Sequence, residues 1–566
     1  MRYQISYSKP NTRIFQVEVH VSYSNGEPRL LQLPVWRPGR YERADFAQQV
    51  IGFQVKSVNG LPVSYKKINS ALWAIDSSET SFIVQYGFYA AVLNAGSSWL
   101  SDRMLYVNPV NCLPYVPGRE HEACQLVLDI PAHYTVAGAR NEEPGRVFQF
   151  PDFHSLADSP FIASDCMLHY SFMYRETTFH FWFTDIAKPD WDKIRTDMEV
   201  IIAEQWNTMG DFPVKEYHVL CHLLPQFAYH GVEHLHSTVL TLGPAQEFMQ
   251  AHFYNEYLGI FSHELFHVWN VKTIRPADLL PYNYAAENYS ELGYVYEGLT
   301  TYYGDLFCLR SGVYSEALFL GMLSEWITRY YHNEGRRAYS LAQSSFDTWL
   351  DGYKPGAPGR KVSIYNEGAL CALMADLFIR RESQNASSLD AVMRDLYTDF
   401  GKTGKGYTRT DYKSLLEKQA ACAMDFFFEK YLEGTEDYGP FLTELFAGLG
   451  LEMAASENPV AEAARFGFKT QQDASGQSVT AMAPGSPAEL GGLSIGDSIL
   501  GYDLAADEAL ADGISLKLQI KRMGVLQELN LESTGGHYFP VYRLRKKEKA
   551  SKPEQEAYLK WISAWA

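Results

Sequence analysis

Three regimes of hydrophobic patterning follow one another along the chain. Up to about residue 170, short runs alternate apolar and polar positions, as in "RIFQVEVHVSY", "SFIVQYGFYAAV" and "CQLVLDIPAHYTVAG". Turn-forming clusters such as "SNGEP" and "RNEEPGR" separate them. A period of two with turn punctuation predicts strands with one face buried, hence a β-sandwich-like N-terminal domain over 1–170. The period then lengthens. "PDWDKIRTDMEVIIAEQWNTMG" spaces its apolar residues for a helix and ends on glycine, while "EYHVLCHLL" returns as a strand. From Ala245 to about Gly450 helical spacing dominates, in "AQEFMQAHFYNEYLGIFSHELFHVWNV" and "SEALFLGMLSEWITRYYH". A third segment, "IYNEGALCALMADLFIRR", sets Leu370, Leu373, Met374 and Leu377 on one face. The Gly- and Pro-rich "DGYKPGAPGRKVS" reads as a mobile connection between the last two.

Beyond about Pro459 the pattern changes again. "FGFKTQQDASGQSVTAMAPGSPAELGGLSIGDSILGYD" predicts a compact β-rich module, and "SKPEQEAYLKWISAWA" a terminal helix. The expected fold is multidomain α+β: a β domain over 1–170, a mainly helical domain over 171–455, a β-rich module over 456–545 and a tail over 546–566.

Composition narrows the partners. A chain of 566 residues, 46% hydrophobic, has the material for several cores. Its formal charge of −18 repels a phosphate backbone, so nucleic acid is not expected as a partner. No stretch approaches the ~18 uncharged apolar residues of a membrane span, and the N-terminus lacks the basic head and apolar run of a secretory leader. The seven cysteines are scattered, and none sits in a CxxC pair. They read as reduced thiols of a cytoplasmic protein.

The chemistry concentrates in "FSHELFHVWN". On a helix, His263 and His267 lie one turn apart on one face and can aim their imidazoles at one point. Zinc suits that geometry, with nitrogen at about 2.0–2.1 Å and three protein ligands in a catalytic site. Glu264 is rotated by about 100° from His263, so it fits a general base beside the attacking water and not a ligand. A third ligand should come from a second helix. Glu297 in "YVYEGLTTYYGDL" is the candidate, after the turn-rich "RPADLLPYNY". Glu291 would lie on roughly the opposite side of that helix, and Glu287 falls in a predicted loop. Tyr302 and Tyr303, one turn past Glu297, read as packing residues or supports of the site.

With these residues in place, "HELFHVWNVKTIRP", "YEGLTTYYGDL" and "IYNEGAL" resemble the glycyl aminopeptidase family of zinc metallopeptidases, which is related to aminopeptidase N. The resemblance implies an N-terminal β domain, a thermolysin-like catalytic domain and a C-terminal PDZ domain. It implies one zinc ion held by His263, His267 and Glu297, with Glu264 as general base. It brings forward Tyr365 in "YNEG" as donor to the oxyanion of the tetrahedral intermediate. Glu367 stands there in place of the lysine of the "Y-x-K-G" motif of related aminopeptidases. "YHGVEHLHSTVL" resembles the family's "G-G-x-E-H" strand. Gly231, Val232 and Glu233 would contact substrate, with Glu233 pinning the free ammonium group. His230 replaces a usual glycine and is expected to reshape the pocket for the first residue.

The implied substrates are peptides with a free N-terminus and a small first residue, glycine or alanine. In the terminal module, "GSPAELGGLSIGD" resembles PDZ domains of bacterial proteases, and Phe466, Gly467 and Phe468 would form the loop that receives a peptide C-terminus. Two other readings are open at this point: a zinc endopeptidase, and a PDZ-based peptide-binding adaptor whose metal site is not catalytic.

Overall fold

A computed structural model describes residues 1–138, 142–184, 189–354, 356–473, 476–502 and 515–563. The N-terminal region is β-rich. A seven-stranded sheet runs in the order 142–143, 147–150, 124–129, 2–6, 14–22, 81–89, 50–57. A three-stranded and a four-stranded sheet accompany it. The alternation seen in the sequence is the alternation of burial: in Ile14–Ser22, Phe15, Val17, Val19 and Val21 are buried and the residues between them are not. One core joins these side chains to Trp36, Trp73 and Phe161. It also takes in Val271, Leu279, Tyr282, Tyr284 and Tyr296, from the segment that follows the histidine helix. The N-terminal domain is therefore packed directly against the part of the chain that carries the candidate metal ligands.

The central region opens with a five-stranded sheet in the order Leu168–Tyr174, Thr177–Thr184, Glu216–Leu223, Ser237–Gly243, Ala228–Glu233. Ala228–Glu233 is the edge strand. It pairs antiparallel with its neighbour, Glu233 facing Thr238 and Gly231 facing Leu240. Helices Trp191–Met209, Ala251–Phe266, Leu299–Arg310, Glu316–His332 and Asn366–Glu382 follow. Leu370, Leu373, Met374 and Leu377 are all buried, as the apolar stripe of the last helix requires.

The C-terminal region is a five-stranded antiparallel sheet in sequence order, Phe468–Asp473, Gly476–Met482, Ser498–Tyr502, Ser515–Arg522 and Val525–Glu532. It has its own small core of Phe466, Phe468, Leu493, Leu516, Leu518 and Leu531. Residues 474–475 and 503–514 of the expected module lie outside the described residues. The tail helix Lys552–Ile562 belongs to the central region. Its Trp561 is fully buried in the main helical core, and the indole N–H donates to the Tyr302 hydroxyl at 2.9 Å. Among the described residues, no helix is long and apolar enough to cross a membrane.

Candidate active site

His263 lies in the last turn of Ala251–Phe266, and His267 is its C-terminal cap in α-helical conformation. The helical turn between them survives, and their Nε2 atoms stand 3.1 Å apart. Glu297 arrives from a π-helical turn, Tyr294–Gly298, at the start of the Leu299–Arg310 helix. Such single π turns are frequent at functional sites because they re-aim one side chain within a helix. Glu297 Oε2 lies 3.4 Å from His267 Nε2 and 3.8 Å from His263 Nε2. Two corners of a tetrahedron around an ion with 2.0–2.1 Å bonds stand about 3.3–3.4 Å apart. The three donor atoms match that triangle closely enough to hold one zinc ion, and the group is a candidate metal site. Glu291 is exposed, and neither it nor Glu287 belongs to a metal-binding group among the described residues.

The tautomer of His267 suits ligation. Its Nδ1–H donates to the Asn270 carbonyl at 2.6 Å, which leaves the Nε2 lone pair facing the other two donors. Asn270 in turn donates to the Val295 carbonyl at 2.9 Å and to Thr300 Oγ1 at 3.1 Å, tying the histidine to the segment that bears Glu297. A second group, His180, Glu216 and His218, has comparable spacing, but its chemistry differs. The indole N–H of Trp182, a donor only, is aimed at His218 Nδ1 at 3.2 Å. The neutral ring then carries its proton on Nε2, 3.3 Å from Glu216 Oε1. A protonated nitrogen facing a carboxylate has no lone pair for a metal.

Glu264 and Glu233 complete the cluster. Their carboxylate oxygens and a nitrogen of His267 lie within 4.8 Å of one another. Gly231 is what lets Glu264 reach this position: a Cβ there would stand 2.0 Å from Glu264 Oε1. Burial raises Glu264 above the ordinary carboxylate range. His267 pulls it down, and Glu233 and Glu297 push it further up. Glu233 is 3% exposed, and its Oε1 has no hydrogen-bond partner among the described residues. Val232, between them in sequence, points to the other face and packs with Ala95, Tyr106 and Trp182. The same alternation turns His230 away from Glu233. Its ring meets Arg37 Nη2 of the N-terminal domain at 3.4 Å, and the residue still borders the cavity.

Tyr365 opens the Asn366–Glu382 helix and lines the same cavity as the histidines and Glu233. Gly298 and Gly368 set the distance. A Cβ on Gly298 would come within 2.6 Å of the Gly368 Cα, so the two helices meet main chain to main chain. Ser363 Oγ accepts the Tyr365 and Asn366 N–H groups at 3.2 Å each. The Ser363 N–H donates to Glu367 Oε2 at 2.9 Å. The Glu367 carboxyl group therefore braces the turn that presents Tyr365. Tyr302 and Tyr303 face the helical core, where their hydroxyls donate to Asp376 and Asp390 at 2.7 and 2.8 Å.

One residue at the centre of this arrangement has no motif of its own. Asp158, from the N-terminal domain, accepts from Lys272 Nζ at 2.7 Å and pairs with His234 Nδ1 at 3.0 Å. It also accepts the Leu235 N–H at 2.9 Å. The segment after His267 and the residue after Glu233 are thus pinned to one buried carboxylate. Lys272 and His234 pull Asp158 well below the usual range, against the opposing effect of burial.

The M61 glycyl aminopeptidase family matches residues 256–371, and the peptidase M61 N-terminal domain matches residues 2–165. A crystal structure described as an aminopeptidase N family protein from Idiomarina loihiensis is 26% identical. The alignment covers 99% of this chain and 100% of that one, with a TM-score of 0.90. An M1 zinc metallopeptidase mutant from Deinococcus radiodurans, bound to a Tyr-Ser-Ala substrate, is 15% identical, covering 77% of this chain and 94% of that one. Its TM-score of 0.46 is too low to carry an argument. No curated protein matches. The chain thus matches the M61 glycyl aminopeptidase family in both its N-terminal domain and its peptidase segment, and the His-His-Glu group lies in the segment that the peptidase family matches.

Proposed function

We propose that this enzyme releases glycine or alanine from the free N-terminus of peptides, with Glu233 as the amine anchor, Glu264 as general base and Tyr365 as oxyanion donor. The observation that carries the reading is the Glu233 carboxylate: buried, with one oxygen unpartnered, and closed off from behind. Gly39 of the N-terminal domain presses on it so closely that a Cβ there would stand 2.3 Å from Glu233 Oε2. A chain threading past Glu233 meets that wall. The cavity, about 910 Å³, is also lined by the exposed Phe227 and Tyr229 and by Met322 and Trp326, which leaves room for the rest of a peptide. A carboxylate backed by Gly39 suits an exopeptidase that admits one residue.

When bound by His263, His267 and Glu297, zinc supplies Lewis acidity to the scissile carbonyl and lowers the pKa of a coordinated water. Glu233 holds the substrate ammonium by a charge-assisted hydrogen bond. Glu264 removes the proton of the attacking water and delivers it to the leaving amine. Tyr365 donates its O–H to the carbonyl oxygen as negative charge develops there. Free thiols at all seven cysteines support a reducing, cytoplasmic setting. For the C-terminal sheet, the Phe466–Phe468 turn, with Gly467 in the left-handed region, supports a PDZ-like carboxylate loop. The test compares a glycyl anilide with its N-acetyl form, in the parent and in Glu264→Gln. Rapid cleavage of the free amine alone, lost in Glu264→Gln, is expected. Equal cleavage of both substrates would make the enzyme an endopeptidase.

A further inference from the structure

We propose that Tyr353 is a positioning residue for the reaction: its hydroxyl orients the Tyr365 hydroxyl towards the oxyanion, and the N-terminal domain holds Tyr353 in place. Residue 353 has no role in the reading above, where the N-terminal domain enters only through Gly39 behind Glu233. The inference rests on that reading only in taking Tyr365 as the oxyanion donor.

The Tyr353 and Tyr365 oxygens are 3.1 Å apart, and both side chains line the cavity of the metal group. In such a pair one hydroxyl donates and the other accepts, and only the accepting partner keeps a proton for a third group. Tyr365 has a single proton, and as oxyanion donor it gives that proton to the carbonyl oxygen, so within the pair it must accept from Tyr353. The order is Tyr353 O–H to Tyr365 O–H to oxyanion. No proton changes owner; each bond strengthens the next as charge builds on the carbonyl oxygen.

The N-terminal domain grips this segment at several points. The Arg40 guanidinium lies 5.0 Å from the Tyr353 ring centre. Arg40 is itself paired with Glu42, whose other oxygen is 3.7 Å from Lys354 Nζ. Just upstream, Trp349 packs edge-on to Trp36 at 5.0 Å between ring centres. The stretch that reads from sequence as a loose Gly- and Pro-rich connection is thus anchored to the N-terminal domain on both sides of Tyr353.

The experiment is a double-mutant cycle on the zinc-loaded, full-length enzyme with a glycyl anilide. Tyr365→Phe is expected to lower kcat by about 10²–10³-fold. Tyr353→Phe is expected to lower it about 3- to 10-fold, the scale of one neutral hydrogen bond, with KM unchanged. In the Tyr365→Phe background, Tyr353→Phe should add less than about twofold, because its hydroxyl then has nothing to orient. Arg40→Met, which leaves both hydroxyls, should likewise slow the parent and not Tyr365→Phe. Calorimetry supplies a readout apart from turnover. Tyr353→Phe should weaken a tetrahedral phosphinate analogue of a glycyl dipeptide several-fold and leave the affinity for glycine unchanged. Tyr365→Phe at full speed overturns the oxyanion assignment itself. A slow Tyr365→Phe with full-speed Tyr353→Phe, or with additive losses in the double variant, overturns only the relay. Equal weakening of phosphinate and glycine also overturns it, because Tyr353 would then shape the pocket in general.

Discussion

Glu233→Gln isolates the charge on which N-terminal selection depends. The amide has the shape of the carboxylate and keeps an acceptor oxygen, so packing against Gly39 and the strand register are preserved. What goes is the attraction for the substrate ammonium. At a hydrogen-bonded separation of about 3 Å and an effective dielectric of about 20, that attraction is about 5.5 kcal/mol. The remaining neutral acceptor restores about 1 kcal/mol. Arg37 and Lys272, whose charges act on Glu233 in the parent, remain near the ammonium in the variant, Lys272 still paired with Asp158. Water entering the site offsets part of the loss. The net expectation is about 3–4 kcal/mol, a 10²–10³-fold fall in kcat/KM for a glycyl anilide. The assay measures kcat/KM for the glycyl anilide and its N-acetyl form in both enzymes. The parent should discriminate strongly, and the variant should lose most of that discrimination. A fall of less than about threefold on the free amine, or the same fall on both substrates, would refute the assignment of Glu233.

Metal analysis of the purified enzyme should find one zinc ion per chain. Chelation should abolish turnover until zinc is restored, and Glu297→Gln should weaken retention. His218→Ala should leave metal content unchanged, because its Nε2 is committed to Glu216; a second ion lost in that variant would contradict the tautomer argument. Gly231→Ala should lower kcat by about tenfold or more with little change in melting temperature, since the new methyl overlaps Glu264; unchanged kcat would show that the base has room to move. Asp158→Asn leaves Lys272 buried without its counter-charge and should cost about 3–5 kcal/mol at neutral pH, read by denaturant unfolding. Because Asp158 is held below its unfolded value, its contribution is complete above about pH 5 and is lost progressively as pH falls from the ordinary carboxylate range towards its depressed folded value. Stability should therefore fall less steeply between about pH 5 and 3 in the variant than in the parent, and parallel curves would count against the pairing.

The parts of the site that local geometry controls are legible in the chain itself. His263, Glu264 and His267 are placed by one helical turn, and a helix of this composition forms wherever it is packed. The stripe of Leu370, Leu373, Met374 and Leu377 and the alternation of Ile14–Ser22 are equally local, which is why the β-rich and helical regions are visible in hydrophobic period alone. Tyr365 and Glu233 are legible through resemblance, since neither a tyrosine among 38 nor a strand glutamate is distinctive by itself. The π turn at Glu297 is not legible, because it depends on how that helix meets Gly368 and the histidine helix. Nor is the turning away of His230, which needs the pleat of an edge strand whose other face the N-terminal domain covers.

The sequence by itself determined which residue types carry the chemistry and the local elements that hold them. The tertiary structure alone decided which distant side chains converge on them. Asp158 reaches Lys272 and His234, Tyr353 reaches Tyr365, Gly39 closes the space behind Glu233, and Trp561 returns to Tyr302. The reason is physical: periodicity reports interactions within a few residues, where the backbone fixes the distance. These contacts join segments more than a hundred residues apart, or cross from one structural element to another. Their partners are chosen by the packing of whole domains, which no short window of sequence contains.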